Sequence, residues 1–222
     1  FETLLFRIIF KIDCINIMAD FSSSWKPSVI ISGGQTGADR GGLIGAKRLG
    51  IKTDGWMPSG LRCDDNIGEQ VQKEFGLREA EGGYRDRDRK NVEMCDAIMA
   101  FLLDMPKTGK GTMCTVRYAT HGRYDFVPIE KKAQVMTIHG NKPALIVWDV
   151  SQDSIPKIVP EVHKFMIRYK PKVLLISGST ASTKSDLDAL VSDLLFETFK
   201  DPSTEPSTNA NDDKEDFPDD LT

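Results

Sequence analysis

The chain has 222 residues, which is enough for one domain with extensions but short for two full domains. Hydrophobic residues make up 40% of the chain and charged residues 28%, which excludes collagen-like and wholly disordered proteins. The net charge of -4 is unevenly distributed, because residues 200–222 hold eight acidic and two basic residues and leave +2 for residues 1–199. A body this close to neutral argues against a general nucleic-acid binder, which needs a basic face.

Both ends of the chain differ in composition from its middle. Residues 1–17 are apolar but are interrupted by Arg7, Lys11 and Asp13, so they are not predicted to span a membrane. They are interpreted as upstream sequence before a start at Met18, with a signal peptide as the alternative. We expect residues 1–28 to be an N-terminal extension, residues 29–199 to be the ligand-binding domain, and residues 200–222 to be a disordered acidic tail.

The cysteines do not suggest a metal centre. Cys14, Cys63, Cys95 and Cys114 form no CxxC pair, and no histidine is spaced to complete a zinc site. We therefore expect no metal ligands, and we interpret the cysteines as small buried hydrophobic residues in a reduced, cytoplasmic protein.

Short apolar runs alternate with helical patterns through the middle of the chain, which predicts parallel strands joined by crossover helices. Strands are predicted at residues 29–31, 51–57, 97–103, 135–138, 144–150 and 172–176. Helices are predicted at residues 43–49, 66–75, 86–95, 113–120, 156–169 and 185–199. The alternation indicates an α/β fold with a doubly wound, mainly parallel sheet in three α/β/α layers.

Three predicted strands lead into loops that contain glycine, at residues 32–42, 108–112 and 177–180. Ligands of open parallel sheets bind beyond the carboxyl ends of the strands, where helix N-termini and glycine backbone favour anions. The loops therefore predict an anionic ligand, although any one of them could be only a tight turn. They match neither the GxGxxG nor the Walker pattern, which argues against ordinary dehydrogenases and ATPases.

Three sequence blocks resemble the putative molybdenum carrier family: GGQTGAD at residues 33–39, GWMPSG at residues 55–60 and YRDRDRKNV at residues 84–92. The similarity runs from about residue 29 to residue 199. It implies a place in a Rossmann-like group that includes molybdenum cofactor carriers, DNA-processing protein A and the Lonely Guy phosphoribohydrolases. The resemblance implies a Rossmann-like fold and a nucleotide-like or pterin-phosphate ligand, with molybdenum cofactor as a candidate cargo.

The chain departs from the Lonely Guy motif, which is Pro-Gly-Gly-x-Gly-Thr-x-x-Glu. Gly111 and Thr112 match, but Thr115 stands where the motif has its glutamate. The sequence therefore offers no acid or base at that position, although Asp39 or Glu130 could act from elsewhere.

Arg87 and Asn91 are four residues apart, so they share one face of the predicted helix. A guanidinium suits phosphate or molybdate oxygens, and we expect Arg87→Ala to weaken binding with a modest effect on stability. The alternative is an exposed helix whose charges pair with one another. Trp56 is interpreted either as a stacking platform for a pterin or purine ring or as a buried packing residue.

These observations predict binding or carriage of an anionic small molecule, with molybdenum cofactor or a nucleotide as the ligand. A nucleotide-processing hydrolase and a ligand-sensing domain are the alternatives, and a binding or carrier protein is favoured over an enzyme. We further expect a homo-oligomer without membrane or nucleic-acid partners. The predicted ligand-binding residues are Gly33, Gly34, Gln35, Thr36, Gly37, Asp39, Arg40, Gly55, Trp56, Arg87, Asn91, Gly109, Gly111, Thr112, Ser177, Gly178 and Ser179.

Overall fold

The computed structural model describes residues 25–103, 110–122 and 133–201, in which strands and helices alternate. The strands are β1 (Val29–Ile31), β2 (Lys52–Asp54), β3 (Trp56–Met57), β4 (Arg78–Glu79), β5 (Ala97–Leu102), β6 (Val135–Ile138), β7 (Ala144–Trp148) and β8 (Val173–Gly178). The α-helices are α1 (Ala38–Arg48), α2 (Gly68–Phe75), α3 (Tyr84–Met94), α4 (Lys110–His121), α5 (Ile155–Tyr169) and α6 (Leu187–Phe199). Short 3-10 turns lie at Ser59–Leu61 and Gln152–Ser154.

The main sheet has the strand order β2-β1-β8-β5-β7-β6. Its neighbouring strands are parallel, except that β6 runs antiparallel to β7 at one edge. The short strands β3 and β4 form a separate parallel pair. Every residue of β5 is buried, because helices cover both faces of the sheet, and its sequence is accordingly a continuous apolar run.

Two hydrophobic clusters lie on opposite faces of the sheet. On one face, side chains such as Met99 and Ile176 pack against α1, α5 and α6. On the other face, side chains such as Ala100 and Trp148 pack against Val92 of α3 and against α4. The predicted three-layer α/β/α arrangement and mainly parallel sheet are therefore confirmed. A third cluster joins α2 to α1 and β3 at the side of the domain.

The predicted elements differ from the observed ones mainly at their ends. The extended segment predicted at residues 51–57 divides at Gly55, whose φ of 138° redirects the chain from the main sheet into β3. Helix α1 begins at Ala38, five residues before the apolar pattern of residues 43–49. Its early turns are rich in glycine because α1 lies close to β8 and α6, and a Cβ on Gly42 would approach Ile176 Cβ to 2.6 Å.

The structure describes only part of the predicted extensions, since residues 1–24 and 202–222 lie outside the described residues. Trp25 packs on the body of the domain and donates a hydrogen bond from Nε1 to the carbonyl of Pro171 at 2.9 Å. The cysteines at 63 and 95 are buried and the one at 114 is partly buried, while Cys14 is not among the described residues. Within the described ranges, no helix is both long and apolar enough to cross a bilayer.

Candidate functional site

A cavity of about 260 Å³ lies at the carboxyl ends of β1, β8 and β5, which are adjacent in the middle of the sheet. It is small for a ligand pocket. Its walls come from the loops after β1 and β8, from the first turns of α4 and from one face of α3. The lining residues are Gln35, Asp39, Tyr84, Arg87, Asp88, Gly111, Thr112, Thr115, Ser177, Gly178, Ser179, Thr180 and Thr183.

Arg87, Asp39 and Asp88 form a charged triad in the wall of the cavity. Arg87 Nη1 donates to Asp39 Oδ2 at 2.8 Å, and Arg87 Nε lies 3.1 Å from Asp88 Oδ1. The Arg87 side chain is 10% exposed and that of Asp39 is 5% exposed, so the Arg87–Asp39 pair is nearly dry. Gly33 permits this arrangement, because a Cβ at that position would overlap the guanidinium of Arg87.

The triad changes the acidity of all three groups. Burial raises the pKa of Asp39 above its ordinary value, although Arg87 and the backbone N–H groups of Gln35 and Gly178 oppose the rise. Burial also raises the pKa of Asp88, and the nearby Asp39 carboxylate adds to that rise while Arg87 and Thr115 oppose it. Burial alone would lower the pKa of Arg87, but Asp88 and Asp39 outweigh it and raise that pKa. The guanidinium is therefore permanently charged, and the two carboxylates bind protons more readily than exposed ones.

Beside the loop after β1, the carboxylate of Asp39 takes the place that a bound anion would have. Asp39 lies in the first turn of α1 and accepts hydrogen bonds from the backbone of Gln35 and Gly178 in addition to Arg87. The N–H of Ala38 donates to the carbonyl of Ser179 at 3.1 Å. The N–H of Arg40 donates to the carbonyl of Gln35 at 3.0 Å. An anionic ligand at a helix N-terminus needs N–H donors of the first turn, and two of those in α1 are thus already paired. The first glycine loop is thus largely satisfied within the protein.

The first turn of α4 meets the cavity differently. Gly111 and Thr112 lie in this turn and line the cavity, and Thr115 follows one turn later. The first turn of a helix carries N–H groups without intrahelical partners, and the helix dipole favours negative charge there. Among the described residues, no atom lies within 4 Å of the position that a Cβ on Gly111 would take.

Several predicted site residues line the cavity, and others have structural roles. The predicted residues that line it are Gln35, Asp39, Arg87, Gly111, Thr112, Ser177, Gly178 and Ser179. The loop glycines at 34 and 37 instead adopt φ of 74° and 80°; Gly34 packs on Leu77 and Met57, and Gly37 packs on the backbone of residues 179–181. Gly109 lies outside the described residues.

The remaining predicted residues hold the loops together. Thr36 donates its N–H to Gln35 Oε1 at 2.9 Å, and Arg40 Nη1 contacts Asp65 Oδ2 at 3.1 Å. Gly55 lies against the backbone of Ser32, where a Cβ would not fit. These contacts fix the shape of the loop around the cavity without reaching into it.

Asn91 and Trp56 contact each other. The Asn91 amide accepts from the Trp56 N–H at 2.8 Å and donates to the Trp56 carbonyl at 3.1 Å. Arg78 and Lys90 each lie 4.5 Å from the Trp56 ring centroid, and its indole N–H points to Met94 Sδ. Both residues of the predicted Arg87 and Asn91 face are buried, but only Arg87 lines the cavity.

Sequence reasoning missed five lining residues, namely Tyr84, Asp88, Thr115, Thr180 and Thr183. Tyr84 is 43% exposed, and the guanidinium groups of Arg62 and Arg87 lie 5.5 and 5.8 Å from its ring centroid. Tyr84 and Asp88 belong to the sequence block at residues 84–92, which was the available signal. Thr115 occupies the position of the missing glutamate, and Asp88 places a carboxylate beside it.

Within the described ranges, no cluster of three or more His, Cys, Asp or Glu side chains could hold a metal ion.

Comparison with known proteins agrees with the fold and the sequence resemblance. The model of the circularly permutated YpsA SLOG family matches residues 30–199. A crystal structure of a putative molybdenum carrier protein from Syntrophus aciditrophicus is similar with a TM-score of 0.63 and 25% identity, covering 81% of this chain and 99% of that one. No curated protein matches the chain. The family match covers most of the domain, so the chain belongs to the circularly permutated YpsA SLOG family.

Proposed function

We propose that this chain binds or carries an anionic small molecule in the cavity between α3, α4 and the loops after β1 and β8. The observation that carries the proposal is the convergence of the α4 N-terminus, the buried guanidinium of Arg87 and several hydroxyl side chains on one space of about 260 Å³. Helix N-termini favour anionic groups, and hydroxyls add hydrogen bonds of either polarity. Because Asp39 already fills the loop after β1, the anionic group of the ligand belongs beside Gly111 and Thr112.

The two ligand candidates both combine an anionic group with an aromatic ring. The similar protein described as a putative molybdenum carrier supports molybdenum cofactor as a cargo. A nucleotide is the other candidate, and it has the same combination of a phosphate and a heterocycle. Tyr84 supports either ligand, because its exposed ring stands at the cavity wall where a heterocycle could stack. A homo-oligomer and a cytoplasmic location stay predictions.

The proposal is tested by ligand identification followed by titration. Native mass spectrometry of the purified chain would identify small molecules that copurify with it. Calorimetric titration with nucleoside monophosphates and with molybdenum cofactor would then measure their affinities. Thr112→Val should weaken binding of the best ligand by about fivefold to tenfold, because one hydrogen bond contributes about 1 kcal/mol.

Thr120→Val is the matched control for this variant. Thr120 lies on the same helix, but its hydroxyl donates to the Val116 carbonyl at 2.9 Å and it does not line the cavity. Its substitution should leave the affinity unchanged. If Thr112→Val and Thr120→Val bind as tightly as the unmodified protein, the anionic group is not at the start of α4.

A second candidate function, nucleotide hydrolysis, is favoured by one observation. Asp88 brings a carboxyl group to the cavity beside Thr115, where the sequence alone offered no acid or base. Burial raises the pKa of that carboxyl, as a group that donates a proton to a leaving base would require. Chromatography of nucleoside monophosphates incubated with the protein decides this, because hydrolysis of the N-glycosidic bond would release the free base and ribose 5-phosphate.

A further inference from the structure

The charges around the cavity do not favour a bare oxyanion. The charged side chains that line it within the described residues are one guanidinium, Arg87, and two carboxylates, Asp39 and Asp88. Arg87 lies within 3.1 Å of both carboxylates, so its charge is shared between them. An oxyanion without hydroxyl groups would place only hydrogen-bond acceptors beside these carboxylates.

Asp39 and Asp88 differ in how many hydrogen bonds and ion pairs their carboxylates already accept within the protein. Asp39 accepts from Arg87 and from two backbone N–H groups, and its side chain is only 5% exposed. Asp88 has the Arg87 Nε contact at 3.1 Å, and its side chain is 17% exposed, while the nearby Thr115 hydroxyl donates to the Gly111 carbonyl at 3.2 Å. A carboxylate can accept about four hydrogen bonds, so Asp88 is able to accept more from a ligand.

We propose that Asp88 makes the cavity selective for anions that also carry hydroxyl groups, such as sugar phosphates and nucleotides, against bare oxyanions such as molybdate. The proposal rests on the proposed function, because it concerns the same cavity. In this arrangement the anionic group lies at the start of α4 and a ligand hydroxyl donates to Asp88. A ligand without hydroxyls leaves the remaining acceptor positions of the Asp88 carboxylate unfilled and brings its own acceptors close to that charge, which is the feature by which polar sites reject close analogues.

The test combines three small ligands with two protein variants. Ribose 5-phosphate carries both groups, butyl phosphate carries the same anionic group without hydroxyls, and molybdate is a bare oxyanion. Calorimetric titration of the unmodified protein should give a dissociation constant for ribose 5-phosphate at least about tenfold lower than that for butyl phosphate, with molybdate weakest. This measurement needs no substitution, so it does not depend on the folding of a variant.

Asp88→Asn should change the ratios between the affinities for the three ligands, and not only the affinities themselves. The substitution removes the charge at nearly constant volume, so binding of butyl phosphate and molybdate should strengthen while the preference for ribose 5-phosphate falls about tenfold. Glu93→Gln is the matched control, because it removes the same charge from the same helix at a side chain that is 58% exposed and outside the cavity. It should leave the preference unchanged. A general effect of charge would instead shift all three affinities together.

The outcomes separate this inference from the proposed function. If none of the three ligands binds the unmodified protein, the selectivity fails, and the proposed function fails as well if nucleoside monophosphates and molybdenum cofactor also do not bind. If all three bind equally well, or if folded Asp88→Asn keeps the original preference, the cavity still binds anions but Asp88 does not select among them. A preference for ribose 5-phosphate that Asp88→Asn removes and Glu93→Gln retains supports the inference.

Discussion

The loop after β1 and the first turn of α4 both bring glycine and a helix N-terminus to the same cavity, but they deal with negative charge in opposite ways. In the loop after β1, the carboxylate of Asp39 occupies the donors of Gln35 and Gly178 and pairs with Arg87. At the start of α4, Gly111 and Thr112 line the cavity, and no other described residue comes within 4 Å of the position of a Cβ on Gly111. Two similar sequence patterns thus give one internal anion site and one that we propose to be available to a ligand.

This difference shows that a glycine loop indicates where an anion is favoured, not whether the anion comes from outside. An acidic residue early in the following helix can supply it. Asp39 occurs two positions after the last glycine of its loop, whereas no acidic residue follows Gly111 in the first turn of α4.

Arg87→Ala should destabilise the protein strongly, in contrast to the modest effect expected from sequence. The substitution leaves two buried carboxylates without their cation, and breaking a buried ion pair by removing one partner costs about 3–5 kcal/mol. Urea unfolding at neutral pH would measure the loss. Arg89→Ala on the same helix is the control, since that side chain is 57% exposed and should change the free energy of unfolding by less than about 1 kcal/mol. Equal small losses for both variants would contradict the buried triad.

Gly37→Ala and Gly111→Ala should differ in sign. At Gly37 the φ of 80° disfavours any side chain, and a Cβ would lie 2.6 Å from the Ser179 carbonyl oxygen, so we expect a loss of at least about 2 kcal/mol. At Gly111 a Cβ would meet no atom of the part of the chain that the structure describes within 4 Å, and alanine should stabilise the helix by up to about 1 kcal/mol. Thermal unfolding compares the two variants. A Gly37→Ala protein as stable as Gly111→Ala would show that the first loop is not tightly packed.

The fold can be predicted from the sequence more completely than the contacts of the candidate site, for a physical reason. A strand such as β5 is buried on both faces, so its position appears in the sequence as an unbroken apolar run. The site depends on contacts between distant positions, such as that between Asp39 and Arg87, which are 48 residues apart. No local sequence pattern predicts that the carboxylate of Asp39 will pair with the guanidinium of Arg87 on a later helix. The sequence predicted the loops after β1 and β8 but could not show that the carboxylate of Asp39 would take the place of a bound anion.

Asp88→Asn should stabilise the protein at neutral pH by about 1 kcal/mol, the size of an ordinary single substitution. Burial raises the pKa of Asp88 above its usual value of 3.8, so the folded protein binds this proton more tightly than the unfolded chain does. The free energy of unfolding therefore falls as the pH rises from that value through the raised pKa. The advantage of Asp88→Asn should shrink as the pH is lowered through the raised pKa towards 3.8, because the carboxyl then becomes neutral in the folded protein. Urea unfolding across this pH range, with Glu93→Gln beside it, measures the effect, and a gain that does not depend on pH would contradict it.

The smallest expected effect concerns two aromatic residues near the site, Tyr84 and Trp56. It distinguishes a residue that forms the cavity wall from one that lies behind it. Tyr84 lines the cavity and is 43% exposed, whereas the ring of Trp56 is already contacted by Arg78 and Lys90 and lies outside the lining. Stacking of a ligand ring contributes about 0.5–1.5 kcal/mol, so Tyr84→Leu should weaken binding of a nucleoside monophosphate by about twofold to tenfold. Trp56→Leu should leave that affinity unchanged. Ribose 5-phosphate has no ring to stack, so its calorimetric affinity should be the same for the unmodified protein and for Tyr84→Leu. Equal loss for both ligands in Tyr84→Leu would mean that the tyrosine shapes the cavity wall without stacking on the ring, and loss in Trp56→Leu alone would return the stacking role to the tryptophan.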